Sequence, residues 1–156
     1  IDPKGVARIS GYAGKSPEAM TLEQAGEHTR QLFGPAFPDY DQAQWQAEAQ
    51  RGLRLRDDGL LVQDYDPAIA RNAADQGDNP MGFWPYFNSL AHIPTLAIRG
   101  ELSDILSTET FAAMAAAKPD LLQIICPNRG HAPDLSEPEC LTAIDSFLKA
   151  HGDAVH

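Results

Sequence analysis

The sequence predicts an α/β fold in which a helical first half is followed by two parallel strands with flanking helices. Apolar residues recur at helical spacing in residues 17–33 and 41–50. Further along, two short apolar runs at residues 94–99 and 121–126 enclose an alanine-rich segment. A strand, a helix and a second strand in this order form a right-handed unit whose strands are parallel. These observations together define the fold class.

The charge balance and the hydropathy pattern exclude two classes of partner. The 156 residues include 12 basic and 22 acidic side chains, which gives a formal net charge of -10. A protein that binds nucleic acid needs basic side chains against the phosphates, so we expect no nucleic acid partner. No apolar run reaches the roughly 18 residues of a membrane-spanning helix, and the N-terminal region lacks the pattern of a secretory signal. We therefore expect no membrane partner.

The cysteines and histidines indicate no metal site and no cofactor. Cys126 and Cys140 are too few for a disulfide framework and lack the spacing of a zinc site. We therefore expect a cytoplasmic protein in which both thiols fill space in the core. Four histidines also lack metal-ligand spacing: His28, His92, His151 and His156.

Two amphipathic helices are predicted in the first fifty residues, after a short mixed segment with no clear pattern. Ser16 as N-cap and a proline at the first helical position predict a helix over residues 17–33. Glycine and proline pairs then interrupt the chain. Asp41 begins a second helix, residues 41–50, in which Trp45 is the apolar anchor.

The next segment predicts a ribbon and then a domain boundary. Leucines and charged residues alternate in residues 51–65 on either side of Asp57-Asp58-Gly59, a strong hairpin-turn signal. Asp66-Pro67 opens a short helix that runs through residue 74. The polar stretch at residues 76–80 is rich in turn-forming residues, and we predict the boundary there.

An aromatic helix is predicted between this boundary and the first strand. Residues 82–91 contain four aromatic side chains: Phe83, Trp84, Tyr86 and Phe87. Such a density is expected of a helix that packs against a sheet. We therefore assign Trp84 and Tyr86 to packing.

Helices also follow each of the two strands. Ser107 as N-cap predicts a helix over residues 108–118, and Ser136 caps a last helix over residues 137–149. Four apolar side chains of the last helix are predicted to face inward: Leu141, Ile144, Phe147 and Leu148. Two parallel strands are a poor sheet by themselves, so the strand at residues 94–99 needs a neighbour. Its uncovered edge predicts pairing with another chain or with a missing segment.

Asp104 and His131 are the candidate catalytic residues. Asp104 lies just past the first strand, and His131 lies just past the second. The carboxyl ends of parallel strands share one edge of a sheet, so loops that leave this edge can bring two side chains into contact. A carboxylate bonded to one ring nitrogen of a histidine leaves the other nitrogen to act as a general base. Glu101 and Asp134 compete with Asp104 for the role of the acid.

Three segments, taken together, resemble the C-terminal part of an α/β-hydrolase. Their order and spacing are typical of that superfamily, although each motif is short. The segments are Ile93-Pro94-Thr95-Leu96-Ala97-Ile98-Arg99-Gly100-Glu101-Leu102-Ser103-Asp104, then Gly130-His131-Ala132-Pro133-Asp134-Leu135, and a closing helix that ends in Phe147-Leu148.

The resemblance implies a division of the chain and a role for each candidate residue. Residues 1–79 are similar to the helical cap, or lid, and residues 80–156 are similar to the C-terminal part of the core. By the same resemblance, Asp104 is the acid and His131 is the histidine of a Ser-His-Asp triad.

The nucleophile that such a triad needs is not found in this sequence. The elbow motif G-x-S-x-G stands upstream of the cap in this superfamily, and no serine here has that context. Ser16, Ser103 and Ser107 are interpreted as cap or loop residues. The chain also begins Ile1-Asp2-Pro3, without an initiator methionine. We therefore expect a C-terminal hydrolase fragment that is inactive alone and whose partner is a missing N-terminal half.

Three functional hypotheses remain open. The first is a fragment of a serine hydrolase that acts on a small ester-like or acyl substrate. The second is a non-catalytic binding module derived from a hydrolase. The third is a relative of the dehalogenases or epoxide hydrolases, in which an aspartate is the nucleophile. The residue at the elbow decides between the first and the third, and the cap sets the substrate.

Two further groups of side chains receive ordinary structural interpretations. The first-half aromatics are assigned to the core more readily than to a pocket: Phe33, Phe37, Tyr40 and Trp45. Three arginines are assigned to a solvated ribbon, because acidic residues lie beside them: Arg51, Arg54 and Arg56.

Overall fold

The chain divides into two compact units. A computed structural model describes residues 2–12, 14–15, 17–66, 68 and 82–152. One unit is Val6–Gly77, and the other comprises Ile1–Gly5 with Asp78–His156. Over these described ranges, no helix is both long enough and apolar enough to cross a membrane.

The first helix, α1, spans Pro3–Tyr12, where the sequence shows no clear pattern. Its start nevertheless follows a general rule, because Asp2 precedes it and Pro3 occupies the first turn, where no backbone N–H is needed. Gly5 and Gly11 are poor helix formers and weaken the pattern in the sequence. Asp2 and Pro3 at the helix start therefore indicate this helix better than the pattern of its apolar residues does.

The second helix, α2, spans Leu22–Phe33 and begins later than predicted. Thr21 is its N-cap, in place of the predicted serine. The Thr21 hydroxyl accepts the Gln24 N–H at 3.3 Å, and the Gln24 side-chain oxygen accepts the Thr21 N–H at 2.9 Å. Ahead of this capping box, Met20 exchanges two backbone hydrogen bonds with Leu61. The residues before Thr21 are therefore held in an extended conformation.

Helix α3 spans Gln42–Gly52 and packs against α2. As predicted, Asp41 is its N-cap, and the carboxylate accepts the N–H of the third helical residue at 2.8 Å. Trp45 is 3% exposed, which confirms it as the apolar anchor. The Tyr40 and Phe37 rings lie 5.1 and 6.3 Å from the Trp45 ring, so these aromatics pack together as core. The buried aliphatic core of this unit comprises Ala25, Ala49 and Leu61.

The predicted ribbon is confirmed. Strands β1, Leu53–Leu55, and β2, Leu61–Gln63, pair antiparallel. Gly59 adopts a φ of 81° in the turn, a left-handed conformation that glycine takes without strain. The ribbon arginines form surface ion pairs, Arg54 with Asp64 and Arg56 with Asp58. The predicted helix over residues 66–74 lies almost wholly outside the described residues, and the predicted boundary at 76–80 lies wholly outside them.

Helix α4 is shorter than the predicted aromatic helix and spans Trp84–Asn88. Phe83, Trp84 and Tyr86 are 58%, 41% and 70% exposed, so the assignment of Tyr86 to packing is wrong and Trp84 is packed only in part. Successive helical residues are about 100° apart, and aromatics at neighbouring positions therefore point in different directions. They cannot all face one sheet. Trp84 packs edge to face on Phe87, at 5.7 Å between ring centroids.

The predicted strand, helix and strand are confirmed. They are β3, Leu96–Gly100, then α5, Thr108–Ala117, and β4, Leu122–Cys126. The strands are parallel, with Leu96 opposite Leu122 and Gly100 opposite Cys126. Ser107 caps α5 as predicted, and its hydroxyl accepts the Thr110 N–H at 3.1 Å. Within the described ranges β3 pairs with β4 alone, so its second edge carries no strand there.

The last helix, α6, spans Pro138–His151, and its N-cap is Glu137 rather than the predicted Ser136. Proline is favoured at the first helical position, which fixes the start one residue later. The Ser136 N–H donates to the Asp134 side chain at 2.7 Å instead. Ser136 therefore belongs to the turn before the helix.

The buried face of α6 also differs from the prediction. Leu141 and Leu148 are 49% and 56% exposed, whereas Ile144 and Phe147 are partly buried. Cys140 is fully buried at the start of the helix. Cys140, Ile144 and Phe147 recur at helical spacing and share the buried face, whereas Leu141 and Leu148 lie beside that face.

Candidate active site

Two loops at the carboxyl edge of the parallel sheet carry the predicted catalytic residues. The β3 loop, residues 101–107, carries Asp104, and the β4 loop, residues 127–137, carries His131. Asp104 is half-buried and His131 is exposed. Because β3 and β4 are parallel neighbours, both loops leave the same edge of the sheet.

Backbone hydrogen bonds join the two loops beyond the ends of the strands. The Glu101 N–H donates to the Cys126 carbonyl at 2.8 Å. The Leu102 N–H donates to the Arg129 carbonyl at 2.7 Å. The first part of the β3 loop is therefore bonded to the β4 side beyond the end of the parallel pairing at Gly100.

Gly100, the last residue of β3, lies against the backbone of the β4 loop. A Cβ atom at this position would overlap the carbonyl oxygens of Arg129 and Gly130. Glycine is the residue that allows such an approach, because it has no Cβ. Gly130 directly precedes His131, so a larger residue at position 100 would displace the backbone that presents the predicted catalytic histidine.

Arg99 organises the β3 loop from within. It is 6% exposed, and its guanidinium donates to the carbonyls of Leu106, Glu101 and Ser103 at 2.7, 3.1 and 3.3 Å. The Ser103 hydroxyl accepts the Leu106 N–H at 3.1 Å. A buried cation needs such acceptors, and these bonds fix the backbone on both sides of Asp104. The sequence shows Arg99 only as the end of a strand, so this role was missed.

A buried ion pair organises the β4 loop. Arg129 Nε lies 2.9 Å from Glu137 Oε1, and the two side chains are 14% and 8% exposed. The same carboxylate oxygen accepts the Asp134 N–H at 3.3 Å. These contacts join the residues before and after His131, and they hold the two ends of its loop together.

The two competing carboxylates have structural bonds of their own. Glu101 Oε2 accepts the Asn128 N–H at 2.9 Å and thereby ties the β3 loop to the β4 loop. Asp134 Oδ1 accepts the Ser136 N–H in the turn before α6. Both bonds shape the backbone of the loops. The catalytic roles of Asp104 and His131 stay a prediction.

The serines keep their structural interpretation. Ser107 caps α5, and Ser103 accepts backbone N–H groups inside the β3 loop. Ser16 lies outside the described residues. No serine in the sequence lies in the G-x-S-x-G context of a nucleophile elbow.

A buried cluster of two thiols and a carboxylate adjoins the β4 loop. Cys126, at the end of β4, and Cys140, in the first turn of α6, are fully buried, which confirms their predicted burial. One ligand atom from each of Cys126, Glu137 and Cys140 lies within 4.8 Å of the other two. Burial raises the pKa of Cys140 to about 12 and also raises the pKa of Cys126. The spacing Glu-x-x-Cys at a helix start is the sequence signal that was overlooked.

Comparisons with known proteins identify relatives of this chain. No protein-family model matches it. It is similar to the 3-hydroxybutyrate-oligomer hydrolase of Cupriavidus necator, with 27% identity over 95% of this chain and 53% of that protein. Its structure is similar to an alpha/beta hydrolase from Novosphingobium aromaticivorans, with a TM-score of 0.85, 38% identity, and 95% and 52% of the two chains covered. It also resembles a putative hydrolase from Rickettsia typhi, with a TM-score of 0.76, 26% identity, and 96% and 50% covered.

The chain spans about half the length of each of these relatives. The structural similarity nevertheless extends over almost all of this chain, through both compact units. It confirms the predicted α/β fold and the resemblance drawn from the three sequence segments.

Proposed function

We propose that this chain, which has the fold of the C-terminal part of an α/β hydrolase, supplies the acid and the histidine of a Ser-His-Asp triad. The complete enzyme would hydrolyse a small ester-like or acyl substrate. The observation that carries the proposal is the pairing of the β3 and β4 loops, which bear Asp104 and His131 at one edge of a parallel sheet. Arg99 holds the β3 loop, and the Arg129–Glu137 pair holds the β4 loop.

In the proposed reaction, His131 moves the proton and Asp104 orients the ring. A serine outside this chain attacks the carbonyl carbon of the substrate, and His131 takes the hydroxyl proton as a general base. The histidine then gives that proton to the leaving alcohol, and a covalent acyl-enzyme remains. A water molecule then attacks the acyl-enzyme while His131 takes its proton. The proton passes back to the serine as the acid product leaves. Asp104 stabilises the imidazolium and holds the required tautomer.

An ester substrate is favoured by one of the relatives. The relative from Cupriavidus necator is named for hydrolysis of 3-hydroxybutyrate oligomers. Hydroxy acids form oligomers through ester bonds, and a serine nucleophile suits such bonds. This supports an ester-cleaving serine triad in preference to an aspartate nucleophile, and the residue at the elbow tests it directly.

The proposed partner is the remainder of the hydrolase, bound along the second edge of β3. The relatives are about twice as long as this chain, and no strand in the described ranges occupies that edge. Large apolar side chains of the same unit are 44–56% exposed: Ile93, Leu102, Leu122, Ile125, Leu135, Leu141 and Leu148. Such exposure is typical of a surface that another segment covers.

We also propose a cytoplasmic location for the protein. Its two cysteines form no disulfide, which suits a reducing compartment.

The test compares the 156-residue chain with a longer form that includes the codons upstream of it in the gene. Both are assayed with a p-nitrophenyl ester after their intact masses have been checked. We expect turnover by the longer form and none by the shorter. In the longer form, His131→Ala should reduce kcat by about 10⁶-fold and Asp104→Asn by about 10⁴-fold.

Matched variants separate the candidate residues from their neighbours. His92→Ala changes an exposed histidine of the same unit and should leave kcat unchanged. Glu101→Gln and Asp134→Asn should each cost far less than Asp104→Asn, because these carboxylates bind backbone N–H groups. Ester turnover that survives His131→Ala would overturn the proposal. Turnover by the short form that is lost in His131→Ala would place the nucleophile inside this chain.

A further inference from the structure

The junction between β4 and α6 contains a buried group of potential metal ligands. Cys126 is the last residue of β4, Glu137 is the N-cap of α6, and Cys140 is in the first helical turn. Their exposures are 0%, 8% and 0%. We call these three residues the thiol–carboxylate cluster.

One oxygen of the cluster lacks a hydrogen-bond partner. Glu137 Oε1 accepts from Arg129 Nε at 2.9 Å and from the Asp134 N–H at 3.3 Å. Glu137 Oε2 is buried and has no hydrogen-bond partner in the described part of the chain. A buried carboxylate oxygen without a partner is costly, and native proteins rarely leave one unexplained. The orphaned oxygen lies on the residue whose carboxylate adjoins the two thiols.

The geometry of the cluster fits three corners of a tetrahedral site. Zinc binds thiolate sulfur at about 2.3 Å and carboxylate oxygen at about 2.0–2.2 Å, so ligand atoms in a tetrahedral site are about 3.5–3.8 Å apart. The ligand atoms of the cluster all lie within 4.8 Å of one another. A contraction of about 1 Å, within reach of side-chain rotation, therefore brings them to bonding positions. Glu137 is the N-cap and Cys140 the third helical residue, two positions whose side chains meet at a helix start.

The charges of the cluster and its neighbour also balance around a divalent cation. Two thiolates and one carboxylate contribute three negative charges, and a divalent ion leaves a net charge of -1. The Arg129 guanidinium, paired with Glu137, supplies the remaining positive charge. A buried charged site is tolerated when its charges are paired in this way.

We propose that Cys126, Glu137 and Cys140 bind a divalent cation of the Zn²⁺ class, which cross-links β4 to α6 at the base of the loop that carries His131. On binding, each thiol releases its proton to solvent and forms one metal–sulfur bond, and Glu137 Oε2 supplies the third bond. A water molecule fills the fourth position. Thiolate with carboxylate is a donor set that suits Zn²⁺ better than Mg²⁺ or Ca²⁺.

The test uses cobalt as a spectroscopic substitute for zinc. The chain is treated with a chelator and a reductant and is then titrated with Co²⁺. We expect one equivalent to bind with a thiolate-to-cobalt charge-transfer band, two protons to be released per ion, and one equivalent of Zn²⁺ to abolish the band. These measurements use the unaltered chain, so they decide the proposal even where a variant fails to fold.

Variants then assign the ligands. Because the chain has only two cysteines, Cys126→Ser with Cys140→Ser removes every thiol and should eliminate the band. Glu137→Gln should weaken Co²⁺ binding by at least about 100-fold. Glu139→Gln alters an exposed acid of the same helical turn and is the matched control, with unchanged binding.

Three results of the cobalt titrations would overturn the proposal, and so would one result from the intact mass. They are the absence of the thiolate band in the unaltered chain, tight binding that persists without cysteines, and equal effects of Glu137→Gln and Glu139→Gln. A chain that is two hydrogens lighter, when it is purified without reductant, would instead identify the cysteines as a disulfide pair. In that case the thiols do not serve as metal ligands.

Discussion

The β3 loop and the β4 loop leave neighbouring parallel strands, yet they are held in different ways. The β3 loop surrounds a buried arginine, Arg99, that bonds to neutral backbone carbonyls. The β4 loop is closed by an ion pair, Arg129 with Glu137, and its base contains the buried thiols. In one loop a buried cation is satisfied by backbone carbonyls, and in the other a buried carboxylate is paired with an arginine and accepts one backbone N–H.

Because different groups hold the two loops, we expect the loops to respond differently to substitution and to pH. Backbone carbonyls do not titrate, so the hydrogen bonds of Arg99 persist over a wide pH range. Removal of Arg129 leaves a buried carboxylate without its cation, which is more costly than the loss of neutral acceptors. We therefore expect the β4 loop, which carries His131, to be the more sensitive to substitution. Burial raises the pKa of the two thiols at its base, so this loop should also be the more sensitive to alkaline pH.

The largest expected effect is that of Arg129→Leu. This change leaves the Glu137 carboxylate, 8% exposed, without its ion-pair partner. We expect the free energy of unfolding to fall by about 3–5 kcal/mol. Urea denaturation measures the change. Arg30→Leu is the matched control, because both side chains of its pair with Glu27 are exposed and surface pairs contribute little. Equal losses in the two variants would contradict the distinction between buried and exposed pairs.

Gly100→Ala should disturb both loops at once. The added methyl group would meet the backbone carbonyls of Arg129 and Gly130, which a side-chain rotation cannot relieve. We expect a loss of about 3 kcal/mol. Amide hydrogen exchange should accelerate in both loops. Gly52→Ala, at the end of α3, has no atom within 4 Å of the added carbon and should cost little. Faster exchange in one loop only would show that Gly100 does not couple them.

Much of the sheet edge could be predicted from the sequence because its signals are local. Apolar runs that end at Gly100 and at Cys126 indicate where the strands stop, and the structure confirms parallel pairing. Asp41 and Ser107 were predictable as N-caps, since a cap bonds to residues two or three positions away. The placement of Asp104 and His131 in neighbouring loops follows from the same signals.

The predictions that failed concern burial and contacts, which depend on what packs against each face of a helix. The inward assignment of Leu141 and Leu148 rested on hydrophobicity, which does not say what lies opposite each face of a helix. The approach of Cys126 to Cys140 and Glu137 depends on how α6 docks beside β4, and no local rule encodes it. Sequence periodicity identifies elements better than it identifies the contacts between them.

Arg99→Leu should loosen the β3 loop and leave the β4 loop intact. It removes the donor of three hydrogen bonds to the carbonyls of the β3 loop. We expect a loss of about 2 kcal/mol, smaller than that of Arg129→Leu, because the acceptors left behind are neutral. Amide exchange at Ile105 and Leu106 should become faster while exchange at Ser136, whose N–H donates to Asp134 within the β4 loop, stays unchanged. Equal acceleration at Ser136 would mean that the two loops unfold as one unit.

The smallest expected effect concerns alkaline pH. Burial raises the pKa of the Cys140 thiol to about 12, whereas an unfolded thiol titrates near pH 8.5. The unfolded chain therefore loses this proton first, and above about pH 8.5 it binds fewer protons than the native protein. By linkage, the free energy of unfolding decreases as the pH rises from about 8.5 toward about 12, and the contribution of the neutral thiol is complete only below that range.

The magnitude of this decrease can be measured against a variant that lacks the thiol. From about pH 8 to about pH 9.5 the chain should lose about 1 kcal/mol more stability than Cys140→Ala, in urea denaturation with chelator present. The comparison cancels the titration of lysines and tyrosines, which both proteins share. Parallel pH profiles would mean that the Cys140 thiol has the same pKa in the folded and in the unfolded chain. Alkaline pH would then not affect the β4 loop more than the β3 loop.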